Sequence, residues 1–352
     1  MDQPVFVAAH TDIMGSVVDR YRVKGETNVF ERRHADILRA GGVQVFCDHL
    51  GGDSRYGYLP ATGLRTDPLQ RALRLFDHTY QEEEESESLV IAKSIVDIEN
   101  AVLDGKFAII LGMEGGSPLN GELAYLRAFH RLGLRSLGIT HNWRNALADG
   151  CLERSGGGLT HFGCAVVAEC NQLGIAIDVS HMSIAGVADT LELSSKPVIA
   201  SHTNPHAVMG HPHNLPDEYL REIAESGGFV GVFFLHAYLT ENAVPTIDDV
   251  LRVIDYLIEL IGIEHVGLAP DIMENWNQAE FKAITESART FESVPVVPIN
   301  YEYPKGLSSI ADLGHLRETL SVRRGLTECE ISQLFGSNAL RAYESGSSQM
   351  RV

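Results

Sequence analysis

Residues 175–202 read IAIDVSHMSIAGVADTLELSSKPVIASH and contain the unit from which the chain is built. Two short apolar runs, 175–180 and 197–201, flank a stretch with helical spacing at 184–193. Continuous apolar runs are typical of strands buried on both faces, and their alternation with helices requires parallel crossover connections. This segment therefore predicts a strand, a helix and a second, parallel strand.

The same pairing of an apolar run with a helical stretch recurs along the 352 residues. The runs predicted as strands are 5–9, 43–47, 107–113, 135–140, 175–180, 197–201, 229–234 and 265–269. The predicted helices are 29–40, 69–80, 89–103, 121–132, 160–173, 184–193, 216–225 and 247–261. Eight such repeats close into a (β/α)₈ barrel, and a barrel of this length forms one domain, here 1–352.

Two features at the ends of the chain complete the fold prediction. Residues after about 311, including 316–322 and 328–335, are expected to form extra terminal helices outside the barrel. An open doubly wound sheet is the alternative fold, but it usually carries a glycine-rich turn after its first strand. His10-Thr11-Asp12 occupies that place here, which favours the barrel.

Composition excludes several classes of function. The 47 acidic residues exceed the 28 Lys and Arg, giving a net charge of −19, which disfavours a nucleic-acid partner. The acidic run 82–87 is expected to be a solvated loop or helix end. Five scattered cysteines argue against a disulfide framework. No apolar stretch is long enough to span a membrane and the first run does not resemble a signal peptide, so a cytoplasmic location is expected.

Polar residues with ligand-type side chains follow the predicted strands. In chain order they are His10, Asp12, Asp48, His49, Glu114, His141, His181, His202 and Asp271. A (β/α)₈ barrel places its active site at the C-terminal ends of its strands, where these side chains would converge. The pattern predicts a metal-dependent active site at that mouth.

Residue type suggests how the site is divided. His10 and Asp12 alternate at a strand end and so can share one metal ion. Glu114 precedes two glycines and suits a carboxylate that bridges two cations about 3.5–4 Å apart. His181 and His202 end consecutive strands and are predicted as further ligands. Taken singly, each of these residues could instead be a helix cap, a loop residue or a buried core histidine.

Two strand-end residues are predicted to act on substrate rather than on metal. His141 could donate to a developing oxyanion, and Asp271 could orient the attacking water or take its proton. Both could alternatively cap a helix. A histidine-rich loop with His206, His211 and His213 follows His202, and at least one of its imidazoles is expected to face substrate.

These residues lie in segments that resemble the membrane dipeptidase (renal dipeptidase) family of zinc peptidases, peptidase family M19, whose members are amidohydrolase-like. The resemblance covers nearly the whole chain. The matching segments are His10-Thr11-Asp12, MEGG at 113–116, THN at 140–142, Ala148-Asp149, 158–183, PVIASH at 197–202, HNLPDEYL at 213–220 and IGIEHVGLAPD at 261–271.

The resemblance implies a (β/α)₈ barrel with two zinc ions per chain, in a site that could also take other divalent ions. It implies that His10 and Asp12 bind one zinc, that His181 and His202 bind the other, and that Glu114 and a hydroxide bridge them. By the same resemblance His141 would stabilise the tetrahedral intermediate, and Asp271 would act as acid and base. Asn142 and His213 would contact a small-molecule substrate. A homodimer would also agree with the family.

Two departures from the family pattern concern the substrate pocket. The family carries an arginine that holds the dipeptide's terminal carboxylate where this chain has His213, and an imidazole cannot supply a bidentate, permanently charged fork. The family segment Gly-Gly-Asp-Phe-Asp-Gly is Ala269-Pro270-Asp271-Ile272-Met273 here, so only the first carboxylate is kept.

Three hypotheses follow. The first is a binuclear zinc hydrolase that cleaves a dipeptide or similar small amide by a metal-bridging hydroxide. The second keeps the site but replaces the substrate by an amide, lactam or ester without a free carboxylate, because His213 replaces the arginine. The third, least favoured, is a metal-binding barrel without turnover, since a fold alone does not establish activity.

Overall fold

Every run predicted as a strand forms one within residues 5–53, 67–275 and 302–346, which the computed structural model describes. The strands are β1 (Phe6–Thr11), β2 (Val43–Gly52), β3 (Leu89–Ile91), β4 (Phe107–Glu114), β5 (Leu134–Gly138), β6 (Ala176–Asp178), β7 (Val198–Ile199), β8 (Val230–Val232) and β9 (Val266–Leu268). Of these, β3 alone was not predicted as a strand.

The strands form a curled parallel sheet. β1, β2, β4, β5, β6 and β7 lie side by side in that order, and β8 pairs with β9. A parallel bridge between Ala200 and Val230 joins the two groups, and Ala200 N donates to Phe229 O at 3.0 Å. β9 in turn contacts β1. The sheet thus returns to its first strand, and the predicted (β/α)₈ architecture is confirmed.

Residues 89–103 differ from the prediction of a single helix. β3 pairs with the first residues of β4, whereas β5 pairs with β4 only from Leu111 onward. β3 therefore pairs with the first part of β4, along the edge where β5 makes no pairing. The helix begins at Ile95, after Ser94 accepts a hydrogen bond from Asp97 N at 3.1 Å. A run as short as β3 has too few residues for its periodicity to distinguish strand from helix.

Helices connect the strands and follow the last of them. They are α1 (Asp19–Arg22), α2 (Val29–Arg33), α3 (Ala35–Gly41), α4 (Pro68–Glu85), α5 (Ile95–Leu103), α6 (Leu123–Arg131), α7 (His161–Leu173), α8 (Ile184–Leu193), α9 (Asp217–Glu225), α10 (His236–Leu239), α11 (Ile247–Ile261), α12 (Leu313–Arg324), α13 (Glu328–Ser332) and α14 (Asn338–Gly346). Short π-helical turns lie at Ile13–Val18 and Gln333–Ser337, and 3₁₀ turns at Ser117–Leu119, Ile263–His265 and Ile310–Asp312. Among the described residues, none of the helices has both the length and the apolar character to cross a membrane. The cytoplasmic location stays a prediction.

The acidic run 82–87 is only partly solvated. α4 ends at Glu85, which is exposed as expected. Glu82 is fully buried, where it contacts the Arg22 guanidinium and accepts a hydrogen bond from Phe30 N at 2.7 Å. The prediction of solvation was wrong for Glu82, because its charge is matched by a cation from another helix.

Side chains of each strand alternate between two hydrophobic clusters. In β4, Ile109 and Leu111 pack in the cluster that includes the surrounding helices, whereas Ala108 and Ile110 belong to the cluster on the inward face. Glu114 shares the alternation of Ala108 and Ile110. The strand therefore places the Glu114 carboxylate inside the C-terminal mouth of the barrel.

The terminal helices divide between these two clusters. Leu316 and Leu320 of α12 pack with the outer helices, as predicted for a helix outside the barrel. Leu340 and Tyr343 of α14 instead join the inward cluster, and the Tyr343 hydroxyl donates to Ala9 O at 3.2 Å. The last helix thus supplies part of the core against which the strands pack.

Glycines allow β2 to approach β4 closely at the mouth. A Cβ at Gly52 would lie 1.7 Å from the carbonyl oxygen of Glu114, and the φ of Gly52 is +139°. A Cβ at Gly112 would lie 2.9 Å from Nε2 of His49. The strand that carries Glu114 therefore fits only beside positions that have no side chain.

We expect Gly52→Ala to lower the free energy of unfolding more than Gly121→Ala does. Gly121 also has a positive φ, +77°, but no atom lies within 4 Å of its Cβ position. Gly121→Ala should cost about 1–2 kcal/mol through backbone strain alone. Overpacking should add about 1–3 kcal/mol at Gly52. Urea unfolding followed by circular dichroism measures both losses, and equal losses would contradict the packing argument.

Candidate metal centre

The Glu114 carboxylate lies at the centre of a group of imidazoles. Its Oε1 is 3.1 Å from Nε2 of His181, 3.6 Å from Nε2 of His202 and 3.9 Å from Nε2 of His10. Its Oε2 is 3.8 Å from Nε2 of His141. These residues lie at the ends of five strands, so the mouth brings together side chains from distant parts of the chain.

Two further carboxylates lie beside this group. Oδ1 of Asp271 is 3.6 Å from Nε2 of His10, and Asp12 offers an oxygen within 4.8 Å of ligand atoms of His10 and Glu114. Desolvation and then the charge of Glu114 raise the pKa of both Asp12 and Asp271 well above the ordinary range. A divalent cation would remove the repulsion among these carboxylates.

The protonation states suit metal binding. Burial lowers the pKa of His10 and His202 well below the ordinary range, and it lowers the pKa of His141 to about 4. These imidazoles are therefore neutral at pH 7, which is the form that ligates metals.

Burial alone would raise the pKa of Glu114, but His141 and His181 hold it well below its ordinary range. His181 differs, because burial is outweighed by hydrogen bonds with Cys151 and Glu114, which raise its pKa to about 10. The donor set thus combines an ionised carboxylate with neutral imidazoles and with one imidazole, His181, whose proton a metal ion would replace.

Hydrogen bonds orient the two histidines that follow β6 and β7. Nδ1 of His181 is 3.0 Å from Oδ1 of Asn142, and Nδ1 of His202 is 2.9 Å from the Ser201 hydroxyl, which donates to Asp178. An imidazole that donates through Nδ1 presents the lone pair of Nε2. The two Nε2 atoms lie 2.8 Å apart and face Glu114. A shared cation is the natural occupant of such a position.

Asn142 was predicted to contact substrate, and the structure places its amide among the histidines. Its oxygen is engaged with Nδ1 of His181, and its Nδ2 lies 3.3 Å from Nε2 of His141. These contacts indicate that Asn142 orients the imidazoles of His181 and His141. Contact with substrate stays a prediction.

Two site residues have backbone conformations that are uncommon for side chains with a Cβ. His181 has φ +66° and Asp271 has φ +50°. The His181 carbonyl accepts hydrogen bonds from Cys151 N at 2.7 Å and the Thr140 hydroxyl at 3.2 Å. The Asp271 carbonyl accepts one from the Tyr303 hydroxyl at 2.8 Å. Strain of this kind persists where surrounding contacts fix it, and it concentrates at functional sites.

Asp53 is a supporting residue that the sequence analysis did not identify. Its carboxylate accepts hydrogen bonds from His141 N at 2.9 Å, Ser117 N at 3.0 Å and the Asn145 amide at 2.9 Å. It thereby ties the end of β2 to the loops that follow Glu114 and β5. The signal in the sequence was the Gly51-Gly52 pair before Asp53, which resembles the pair after Glu114.

Asp48 and His49 were noted at the end of a predicted strand without an assigned role. Asp48 accepts hydrogen bonds from the backbone N–H groups of Ile13 at 2.6 Å and Met14 at 3.0 Å, which follow Asp12. His49 stacks on the ring of His10 with centroids 4.0 Å apart. Both residues therefore support the strand end that carries His10 and Asp12.

His213 lies against the same site. Its ring centroid is 4.2 Å from that of His181 and 5.3 Å from that of His202. Phe233 and Tyr238 pack on its other sides, at 5.4 and 4.8 Å. The position where the family resemblance places an arginine thus holds a buried imidazole among aromatic rings.

The residues present fit a metal centre. His10, Asp12 and Glu114 offer ligand atoms within 4.8 Å of one another, as do Glu114, His141 and His181. Nitrogen and oxygen donors of these types bind zinc at about 2.0–2.2 Å. Small side-chain shifts would bring either group around one ion.

Comparison with known proteins assigns the chain to a family. The family model described as Membrane dipeptidase (Peptidase family M19) matches residues 1–280. The chain belongs to the membrane dipeptidase family. An uncharacterized dipeptidase of Schizosaccharomyces pombe is 31% identical to it over 247 residues, which is 68% of this chain and 53% of the relative. The chain therefore spans about half the length of this curated relative.

Solved structures of other proteins share the fold of this membrane dipeptidase family member. An amidohydrolase from Pseudomonas aeruginosa superimposes with a TM-score of 0.83 at 24% identity, covering 98% of this chain and 97% of that one. A metallo peptidase from Rhodobacter sphaeroides, liganded with a phosphinate mimic of the dipeptide L-Ala-D-Ala, gives 0.79 at 24% identity, covering 98% and 100%. At this level of identity the likeness concerns the fold.

We expect Asp53→Asn to destabilise the mouth. The amide has one acceptor oxygen, so its NH₂ group would face donors that the carboxylate now satisfies. Leaving buried donors unpaired should cost about 1–3 kcal/mol of unfolding free energy. Urea unfolding would measure the loss, with Asp36→Asn as the control because the Asp36 side chain is 97% exposed. If the Asp53→Asn protein were as stable as the control, the proposed role of Asp53 in holding the loops of the mouth would be refuted.

Proposed function

We propose that this protein is a metal-dependent hydrolase that cleaves dipeptides or similar small amides. The observation that carries the proposal is the single oxygen, Glu114 Oε1, that lies within 3.9 Å of three imidazole Nε2 atoms. Membership of the membrane dipeptidase family supports the same chemistry. A carboxylate in this position can bind two metal ions at once.

The proposed centre holds two zinc ions per chain. His10 and Asp12 would hold one ion, His181 and His202 the other, and Glu114 would bridge them. When bound, zinc would supply a water activated as hydroxide and would polarise the amide carbonyl. The partly exposed carboxylates of Glu114, Asp12 and Asp271 lie on the solvent side of the buried imidazoles, so substrate would enter from that side.

We assign the remaining catalytic tasks to His141 and Asp271. Nε2 of His141 lies 3.8 Å from Oε2 of Glu114, and His141 N donates to Asp53. In the proposed reaction this ring would donate to the oxyanion that develops on the substrate. Asp271 lies beside His10 on the solvent side, where its carboxylate can hold the proton of the attacking water and pass it to the leaving amine.

Glu114→Gln should remove most turnover and most bound metal. The neutral amide keeps the size of the side chain but loses the charge that can bridge two cations. The control is Glu122→Gln, which changes an exposed carboxylate at the start of α6. Elemental analysis of chelator-free protein and a dipeptide hydrolysis assay measure both effects.

Two results would distinguish the alternatives. Full activity of Glu114→Gln would overturn the proposed mechanism. Two ions per chain in the unsubstituted protein with no hydrolysis of any dipeptide, amide or ester would favour a metal-binding barrel without turnover.

A second candidate function is favoured by His213. The relative from Rhodobacter sphaeroides is liganded with a mimic of L-Ala-D-Ala. In this chain a buried, neutral imidazole stands where the family resemblance places the arginine for the terminal carboxylate, because burial lowers the pKa of His213 well below its ordinary range. An amide, lactam or ester without a free carboxylate would suit that pocket better than a dipeptide.

A panel of zinc-loaded assays separates the two substrate classes. Dipeptides of both stereochemical configurations and their C-terminal amides should be compared at equal concentration. If His213 has removed carboxylate recognition, kcat/KM for the amides should be within about threefold of the free dipeptides, a difference below about 1 kcal/mol. A loss of about a hundredfold or more on the amides would instead identify an enzyme that reads the carboxylate.

A further inference from the structure

Three histidines of the mouth form a group that the family pattern does not contain. His181, His202 and His213 each offer a ring nitrogen, and these atoms all lie within 4.8 Å of one another. All three side chains are buried. Zinc binds imidazole nitrogen at about 2.0–2.1 Å, so two such ligands are at most about 4.2 Å apart, and small side-chain shifts would bring all three imidazoles around one ion.

The backbone of His213 is fixed in place. Thr203 donates through its hydroxyl to the His213 carbonyl at 3.1 Å, and His213 N donates to Nδ1 of His211 at 3.1 Å. The next residue, Asn214, donates through its side chain to Tyr238 O at 2.8 Å. The imidazole of His213 therefore projects from an anchored segment of the loop after β7.

The ring of His213 lacks polar partners in this position. The residue is 2% exposed, and neither ring nitrogen has a hydrogen-bond partner among the described residues. Phe233 and Tyr238 supply only aromatic contacts, whereas the rings of His181 and His202 lie on the side of Glu114. An unpartnered buried imidazole nitrogen is destabilising unless a ligand satisfies it.

We propose that His213 is a third imidazole ligand of the ion held by His181 and His202. The inference rests on the proposed metal centre and adds a ligand to it. With the Glu114 carboxylate, that ion would have four protein ligands, a complete tetrahedral set for zinc, so the water of the proposed reaction would bind at the open position of the ion held by His10 and Asp12. The ion held by His10 and Asp12 would have fewer protein ligands. The two ions should therefore differ in affinity, and His213 would be unable to serve as the reader of a substrate carboxylate.

The test uses the full chain stripped of metal and titrated with Co²⁺ or Zn²⁺. In the unsubstituted protein we expect two ions per chain, with the tighter one showing the absorption of tetrahedral Co²⁺. His213→Ala should weaken binding of that ion by at least about tenfold, which is the scale seen even for residues that only support a ligand. The weaker ion should keep its affinity.

The matched control is His34→Ala. His34 is 1% exposed, and its two ring nitrogens also lack hydrogen-bond partners among the described residues. It belongs to none of the candidate metal-binding groups found in the described part of the chain. This variant removes an equally buried imidazole and should leave both affinities and the Co²⁺ spectrum unchanged.

A second measurement needs no substitution. X-ray absorption of the unsubstituted protein with one equivalent of Zn²⁺ should count three imidazoles around the ion. A count of two, or unchanged affinities and spectrum in His213→Ala, would overturn the assignment while leaving the proposed hydrolase intact. Failure of the unsubstituted protein to bind any ion would overturn both.

Discussion

A carboxylate removed from water must be matched by charge or by hydrogen bonds, and Glu114 is the carboxylate to which the rest of the mouth is fitted. Imidazoles from four other strand ends surround it, and two more carboxylates stand beside it. Desolvation and the charge of Glu114 raise the pKa of Asp12 and Asp271 well above the ordinary range, so both carboxyls are charged beside Glu114 only when a cation offsets the repulsion. The arrangement is therefore stable as a whole when cations share the site, which couples metal binding to the stability of the mouth.

The strand ends that carry these ligands are held by a second set of carboxylates. Asp48 accepts from the backbone that follows Asp12, and Asp53 accepts from His141 N. Asp178 accepts from Ser180 N at 3.0 Å and Ser201 N at 2.9 Å, one residue before each of the two ligand histidines. The segments that carry Asp12, His141, His181 and His202 are thus each fixed by a carboxylate that accepts hydrogen bonds from backbone N–H groups at the strand end.

The pocket around His213 departs from the family pattern, whereas the candidate metal ligands follow it. All five side chains that the family resemblance implies as metal ligands are present and lie together, whereas the arginine position is His213 among aromatic rings. A guanidinium in that pocket would offer permanent charge, and an imidazole offers a neutral nitrogen. Candidate metal ligands of the family type beside a pocket that departs from the family pattern agree with the proposed change of substrate.

The sequence by itself determined the order of strands and helices and the set of polar residues at the strand ends, because strand and helix periods are local properties of the chain. It could not assign β3, which is three residues long and becomes a strand through pairing with β4. It misjudged Glu82, whose burial depends on Arg22 from another helix. It also gave no role to Asp53 or His49. The tertiary structure alone decided which side chains share Glu114, since distances between strand ends depend on how the sheet curls and closes.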